Sequence, residues 1–136
     1  MKAFIKEYFP HFENDSATVE EVIKLEKQLE IDLPSDYKDF LIHLNGFEGE
    51  VGSNYTVFEP VSKIYELTQN FCAESFPWAI YIGSNGNLEM FVIDKRTYPR
   101  KFGLLPFIAD DKDFISLGET FEQFLYRLRE GTSFEN

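Results

Sequence analysis

The chain has few of the features that stabilise small secreted domains or anchor a protein in a membrane. Its 136 residues include one cysteine, Cys72, so no internal disulfide can form. The sequence has no apolar run of about 18 residues or more, which argues against a membrane-spanning helix. Its first seven residues lack the apolar core of a secretory signal. These absences favour a reducing compartment, and we expect a cytoplasmic protein.

Residues suited to catalysis or metal binding are also scarce. The two histidines, His11 and His43, have neither a second histidine at helical spacing nor a cysteine pair, so a zinc ligand set is missing. Asp110, Asp111 and Asp113 resemble a calcium loop only in composition, because the central glycine and the distal glutamate of such a loop are absent. We therefore predict a non-enzymatic protein with no catalytic residue, no metal and no cofactor.

Basic residues are outnumbered, with 13 Lys and Arg against 24 Asp and Glu and a net charge of −11. The imbalance is concentrated in residues 13–50, where 11 acidic residues face three lysines. Such a field repels nucleic acids and anionic membranes and attracts basic proteins. The alternative is that acidity only keeps the protein soluble. We expect a protein partner, and neither a nucleic acid nor a membrane.

Aromatic residues are abundant, with 15 Phe, seven Tyr and one Trp. Their number exceeds what the inward-facing positions of the predicted helices and strands can bury. The candidates for surface exposure are Tyr55, Trp78, Tyr81 and Tyr98. Exposed aromatic side chains beside acidic ones suit the binding of a basic protein. For any one of these residues, burial in the core is the simpler interpretation.

Residues 18–46 predict two helices joined at a Leu-Pro corner. Thr18 and Glu21 have the spacing of a capping box. Pro34 suits the first turn of the second helix, because the N–H that it lacks would have no helical partner there. Asn45-Gly46 ends that helix, since both residues accept a left-handed backbone. Apolar residues recur at helical spacing in both helices: Val19, Val22, Ile23, Leu25 and Leu29, then Tyr37, Phe40, Leu41 and Leu44.

Glu26 interrupts the apolar side of the first predicted helix, between Val22 and Leu29. A carboxylate at such a position lies at the rim of the core or is buried with a hydrogen-bond partner. In the structural interpretation it accepts hydrogen bonds from backbone N–H groups nearby. In the functional interpretation it binds a partner. We favour the structural one, because buried charges are seldom unpaired.

The remainder of the chain shows strand and helix patterns in turn. Residues 47–54 read as a polar, glycine-rich loop that carries Glu48 and Glu50. The predicted strands are 55–58, 78–82, 88–93, 104–108 and 114–117, and the predicted helices are 61–71 and 120–130. Asn85-Gly86 is typical of a hairpin turn between the second and third strands. Pro106 argues for an edge or a bulge in the fourth strand.

The order of these elements predicts an α+β fold, with an antiparallel sheet of about four to six strands and helices packed mainly on one face. We expect a single domain over residues 1–136, with a core of about 18–130 and an N-terminal extension, 1–17. Residues 1–12 have the spacing of a short helix interrupted by Pro10 and are expected to lie across the main body. Residues 132–136 are expected to fray.

Three segments in order carry a family resemblance: LEKQLEIDLPSDYKDFLIHLNG, IGSNGNLEMFVID, and LPFI followed by ETFEQFLYRL. Together they resemble the SUKH superfamily from about Thr18 to Arg129. That superfamily includes the yeast regulator of cell-wall glucan synthesis and many bacterial immunity proteins. The resemblance implies an α+β fold, and positions that identify that fold more than any partner: Glu26, Leu33, Pro34, Tyr37, Phe40, Asn45, Gly46, Ile82, Gly83, Asp94, Phe121, Phe124 and Leu125.

The resemblance and the acidity together predict an immunity protein that binds a basic toxin, such as a nuclease, and occludes its active site. The expected partner-binding residues are Glu48, Glu50, Asp110, Asp111, Asp113, Tyr55 and Trp78. We expect the two acidic groups to lie in loops that approach each other at one edge of the sheet. The alternative is a regulatory scaffold similar to the yeast relative, binding several partners. The oligomeric state is left open.

Overall fold

The strands form one antiparallel sheet in which each strand pairs with its neighbours along the chain. The computed structural model describes residues 3–131, so the expected fraying of 132–136 falls outside it. In chain order the described elements are α1 (Ala3–Tyr8), α2 (Val19–Leu29), α3 (Ser35–His43), β1 (Phe47–Val51), β2 (Asn54–Phe58), α4 (Val61–Phe71), β3 (Ala79–Ser84), β4 (Glu89–Asp94), β5 (Lys101–Pro106), a 3-10 turn (Asp111–Asp113), β6 (Ile115–Gly118) and α5 (Phe121–Glu130). The strand order β1-β2-β3-β4-β5-β6 confirms the predicted α+β class.

The helix boundaries follow the predicted capping signals. Thr18 and Glu21 form the capping box that begins α2. Asn45 and Gly46 follow α3 with φ of 48° and 113°. The Asn45 side chain also accepts a hydrogen bond of 2.7 Å from the Val61 N–H, so it caps α4 as well. On α2 the buried stripe is narrower than predicted, because Val19 and Ile23 are largely exposed.

Two apolar clusters lie on the two faces of the sheet. The larger one, on the inner face, joins alternate residues of β3, β4 and β5 to α1, α2, α3, α5 and the start of α4. Phe124 of α5 packs there against Phe58, Phe91 and Phe102. The smaller cluster, on the outer face, contains Cys72, Phe76, Ala79, Tyr81, Met90, Val92 and Leu105. The helices therefore pack mainly on one face, as predicted.

The N-terminal segment contributes directly to the inner cluster. Phe4, Ile5, Tyr8 and Phe9 are buried, and the Phe9 ring lies 5.3 Å from that of Phe40. The expected helix ends at Tyr8, two residues before the proline. This segment therefore lies across the main body, as its aromatic spacing predicted.

Two strand predictions were wrong. Residues 47–51 were assigned to a loop, but they form β1, which pairs with β2 in the register Phe47↔Phe58. Phe47 and Val51 face the inner side while Glu48 and Glu50 are exposed, so the polar residues are the solvent side of an alternating strand. For Pro106 the edge alternative was wrong, because β5 lies between β4 and β6. Strand β5 does have a register shift against β6, but it lies between Phe102 and Gly103, whereas Pro106 is the last residue of the strand.

The positions implied by the family resemblance have identifiable structural surroundings. Glu26 accepts a hydrogen bond of 2.7 Å from the Leu33 N–H, and this contact supports its structural interpretation. Pro34 immediately precedes α3. Asp94 is buried and accepts two side-chain hydrogen bonds, each of 3.0 Å, from Arg96. A Cβ on Gly83 would lie 2.0 Å from the Val57 carbonyl oxygen, so only glycine fits there without backbone movement.

Candidate protein-binding face

The exposed side of the β1–β2 hairpin carries a row of carboxylates. Strand alternation places Glu48, Glu50 and Tyr55 on the outer face of the sheet, and Glu59 follows β2 beside them. We call Glu48, Glu50 and Glu59 the acidic strip. Glu48 and Glu50 are exposed and Glu59 is half-buried. The strip therefore belongs to a hydrogen-bonded strand pair and the residue that follows it, and Glu48 and Glu50 do not lie in the predicted loop.

Tyrosine hydroxyl groups orient two of these carboxylates. Tyr55 Oη donates a short hydrogen bond to Glu48 Oε2, and this bond raises the pKa of Tyr55. Tyr81 Oη donates to Glu59 Oε2 at 3.1 Å. Burial is the largest cause that raises the pKa of Tyr81, and the nearby Glu59 charge raises this pKa further. Because each hydroxyl holds its carboxylate in one orientation, less conformational entropy remains to be lost when a basic side chain binds.

An exposed aromatic patch adjoins the acidic strip. We define it as Phe71, Leu88 and Phe107, of which Phe71 covers the buried ring of Tyr81. The Phe71 ring lies 5.0 Å from the Tyr81 ring and 5.3 Å from the Phe107 ring. Leu88 lies opposite Phe107, whose N–H donates to the Leu88 carbonyl at 3.0 Å. Phe71 is 40% exposed and Leu88 is 70% exposed, so the patch faces solvent.

Gly86 joins the patch to the acidic strip. It has a φ of 77° at the β3–β4 turn, and a Cβ there would lie 2.6 Å from the Tyr55 ring. The Tyr55 ring therefore rests directly on the turn that leads into Leu88. Glu59 bonds to Tyr81, whose ring contacts Phe71, so one tyrosine, Tyr55 or Tyr81, links a carboxylate to each side of the patch. The result is a continuous surface of apolar and acidic groups.

A second group of predicted residues meets at the other end of the outer face. Trp78 Nε1 donates to Asp111 Oδ1 at 2.9 Å. The Arg96 guanidinium lies 3.7 Å above the Trp78 ring and is held by Asp94 at 3.0 Å. Trp78 is half-buried, and its ring also packs against Phe114 at 5.5 Å. This group combines both signs of charge, in contrast to the acidic strip.

The expected approach of the two acidic groups was wrong. Glu48 and Glu50 lie on β1, at one edge of the sheet, whereas Asp110, Asp111 and Asp113 lie between β5 and β6, at the other edge. The Asp110 N–H instead donates to Asp113 Oδ2 at 2.8 Å across the 3-10 turn. The structure pairs Tyr55 with Glu48 and Trp78 with Asp111, but it separates the two pairs.

The exposure predictions for the aromatic residues had mixed outcomes. Tyr55 is 44% exposed and Tyr98 is 88% exposed, as expected. Tyr81 is buried, contrary to its candidacy for exposure, because the Phe71 ring covers it. Sequence reasoning missed three exposed or half-buried residues of this face: Phe71, Leu88 and Phe107. Leu88, Met90 and Val92 alternate along the chain and lie on the outer face of the sheet. This two-residue period was the sequence signal that could have identified Leu88.

A groove of about 980 Å³ lies between α1, β6 and α5, where Arg129 bonds to Glu7 at 2.6 Å. This groove beside α5 is lined by none of the predicted partner-binding residues. Within residues 3–131, no group of three or more His, Cys, Asp or Glu side chains is placed to hold a metal ion. Over the same residues, no helix combines the length and apolar character needed to cross a membrane.

The sequence matches a protein-family model over most of its length. The model of the SMI1 / KNR4 family (SUKH-1) matches residues 16–127. The chain belongs to this family. The match confirms the resemblance drawn from the three sequence segments. A comparison with curated proteins gives no match.

The outer face lies within the SUKH-1 match. The acidic strip, the aromatic patch and the Trp78–Asp111 pair all fall between residues 16 and 127. Helix α1 precedes the matched region. The candidate surface is therefore built on the SUKH-1 domain itself, and the segment before it contributes to the inner cluster instead.

Proposed function

We propose that this SUKH-1 protein is an immunity protein that binds a basic toxin and blocks the toxin's active site, without catalysis of its own. The observation that carries the proposal is the acidic strip, whose Glu48 and Glu59 carboxylates are each oriented by a tyrosine hydroxyl. The strip lies beside exposed apolar side chains, a combination that suits a protein interface better than a small-molecule site. The family resemblance supplies the toxin as the class of partner.

Electrostatic attraction gives the proposal a measurable consequence. Carboxylates on one face attract a basic protein over about a Debye length, so they raise the association rate most at low salt. Partly exposed ion pairs contribute about 0.3–1 kcal/mol each. Loss of two such pairs therefore weakens binding roughly three- to thirtyfold. The nuclease subclass fits best, because a nucleic-acid site is itself basic and would bind the strip where it binds phosphates.

The test begins with capture of the partner and ends with inhibition. Tagged protein is incubated with lysate of its native source at about 0.05 M and about 0.5 M salt. The captured protein is then purified and its activity is measured against increasing amounts of the SUKH-1 protein. One basic partner, inhibited at equimolar ratio and released by salt, supports the proposal. Weak capture of many partners, none of them inhibited, would favour the regulatory scaffold instead.

Matched charge variants locate the surface. In Glu48→Gln/Glu50→Gln the strip loses two charges, but the amide can still accept the Tyr55 hydrogen bond. Glu66→Gln/Glu122→Gln removes the same charge from exposed positions on α4 and α5. We expect weaker inhibition and a smaller salt dependence for the first pair only. Equal effects of both pairs would show that net charge matters and the strip does not.

The Asp110, Asp111 and Asp113 group receives a separate test. Exchange of all three for Asn removes the charges and keeps side chains that can still form caps. If the Trp78–Asp111 end also contacts the toxin, this variant binds more weakly and with a flatter salt dependence. Unchanged affinity would assign these residues to the 3-10 turn alone.

A further inference from the structure

We propose that the aromatic patch is the anchoring half of the interface and receives an apolar side chain that is flanked by basic residues on the partner. This inference rests on the proposed function, since it assumes a basic protein partner. It adds the specific chemistry of the partner segment. The patch consists of Phe71, which lies against the buried Tyr81 ring, Phe107, which contacts Phe71, and Leu88, which is paired with Phe107.

The geometry of the patch suits one large apolar side chain. Phe71 and Phe107 meet edge to face, with an interplanar angle of 86°. Phe107 in turn pairs with Leu88, so the three side chains follow one another across the outer face. Interfaces concentrate their binding energy in such anchor positions, where an aromatic side chain is removed from water. Leu88 is 70% exposed at the tip of a hairpin, so it has no structural need to be apolar.

Charge around the patch selects the residues that flank the anchor. Glu48 reaches the patch through Tyr55 and Gly86, and Glu59 reaches it through Tyr81. The three residues of the patch are uncharged, and the groups that border them through these contacts are acidic. An anchor flanked by Arg or Lys is therefore complementary, whereas an acidic flank would be repelled.

The experiment uses two synthetic pentapeptides on the full-length, isotope-labelled protein. One has tryptophan between two pairs of arginines, and the other has glycine at the centre. Amide chemical shifts are followed by NMR during titration. We expect the tryptophan peptide to bind at least roughly fivefold more tightly. Its additional shifts should fall on Gly86, Leu88 and Phe107.

Variants distinguish the contribution of the aromatic patch to peptide binding from that of the acidic strip. Leu88→Ala should reduce the difference between the peptides, whereas Glu48→Gln/Glu50→Gln should weaken both peptides equally. Tyr98→Ala is the control, because it removes an exposed aromatic side chain beyond the opposite end of β4. Because Leu88 is exposed, its variant is expected to fold, and a thermal melt verifies this.

The outcomes are distinguishable. Equal affinity of the two peptides, or tryptophan-dependent shifts away from the patch, would overturn the anchor proposal. The acidic strip would then still stand if both peptides shift the amides of Glu48 and Glu50. If the tryptophan peptide shifts only patch amides and the Gln variants change nothing, the electrostatic basis of the proposed function fails. In that case the patch binds apolar side chains without regard to their flanks, which also overturns the anchor proposal.

Discussion

Replacement of Tyr37 by phenylalanine should leave the protein as stable as before or make it more stable. Tyr37 is buried in the inner cluster, between the rings of Phe40, Phe102 and Phe121. Among residues 3–131 its hydroxyl has no hydrogen-bond partner. A buried polar group without a partner costs about 1–3 kcal/mol. Tyr37→Phe removes that cost and keeps the ring, so the free energy of unfolding should be unchanged or rise by up to about 3 kcal/mol.

The pH dependence should change in the same variant. Burial raises the pKa of Tyr37 above its ordinary value of 10.0. The folded state therefore holds this proton more tightly than the unfolded chain does. The contribution of this proton to the free energy of unfolding is fully present below pH 10.0. It decreases as the pH rises above that value, because the unfolded chain ionises first. Tyr37→Phe lacks this ionisation, so its stability should fall less steeply above pH 10.0.

Two control variants make the test decisive, with urea unfolding followed by circular dichroism. Tyr37→Ala removes the ring and should cost about 3–5 kcal/mol. Tyr81→Phe removes a hydroxyl that does have a partner, Glu59, and should cost about 1–2 kcal/mol. If Tyr37→Phe lost more than about 1 kcal/mol, its hydroxyl would have a partner and the reasoning from burial would be refuted.

Three further predictions concern stability and reactivity. Gly83→Ala should destabilise the protein by about 1–3 kcal/mol or more in thermal melts, and Gly49→Ala by less, because its Cβ would meet the movable ring of Phe47 and not backbone. Burial raises the pKa of Cys72 from 9.0 to about 12. At pH 8 the native protein should therefore resist a thiol reagent that modifies the unfolded chain at once. The free energy of unfolding should decrease between pH 9 and 12, and the decrease should be smaller in Cys72→Ala. Glu26→Ala should cost about 1–3 kcal/mol, because it leaves the buried backbone N–H that Glu26 binds without its acceptor; unchanged partner affinity in that variant would separate its structural role from binding, and an unchanged free energy of unfolding would contradict the structural role.

Local signals predicted most of the helices and the central hairpin. Thr120 caps the start of α5, and Gly131, in a left-handed conformation, ends it. Asn85-Gly86 lies in the β3–β4 turn. These features depend on residues close in sequence, so the sequence alone contains them. Strand β1 was missed because FEGEV has glycine and two glutamates, residues that are uncommon in strands. Its alternation becomes recognisable only once β2 is placed beside it.

The candidate site was less predictable because it depends on strand order. Tyr55 lies near the start of β2 and Trp78 just before β3. Sequence patterns locate the ends of strands approximately, so the exposure of Tyr55 and the partial burial of Trp78 were within reach. The separation of Glu48 from Asp111 depends on which strands occupy the two edges of the sheet, and no local pattern fixes that order. Likewise, Tyr81 is buried by Phe71, a residue of a different element. Contacts between distant elements therefore account for the errors.

The surface itself follows from the narrow contact between β2 and β3. Gly83 lets the β2 backbone approach closely, but the paired stretch is short: Val57↔Ser84 and Phe58↔Gly83, followed by a hydrogen bond of 2.9 Å from the Glu59 N–H to the Ile82 carbonyl. Helix α4 occupies the edge of β3 beyond that point, where Thr68 Oγ1 accepts a hydrogen bond of 3.0 Å from the Tyr81 N–H.

This arrangement brings the two halves of the candidate face together. The chain passes from the acidic strip on β1 and β2 directly into α4, whose last residue, Phe71, covers Tyr81. A position that identifies the fold, Gly83, thereby determines where the aromatic patch meets the carboxylates. A side chain at Gly83 would displace β2 and separate Glu59 from Tyr81. Loss of partner binding in Gly83→Ala should therefore exceed what its loss of stability explains.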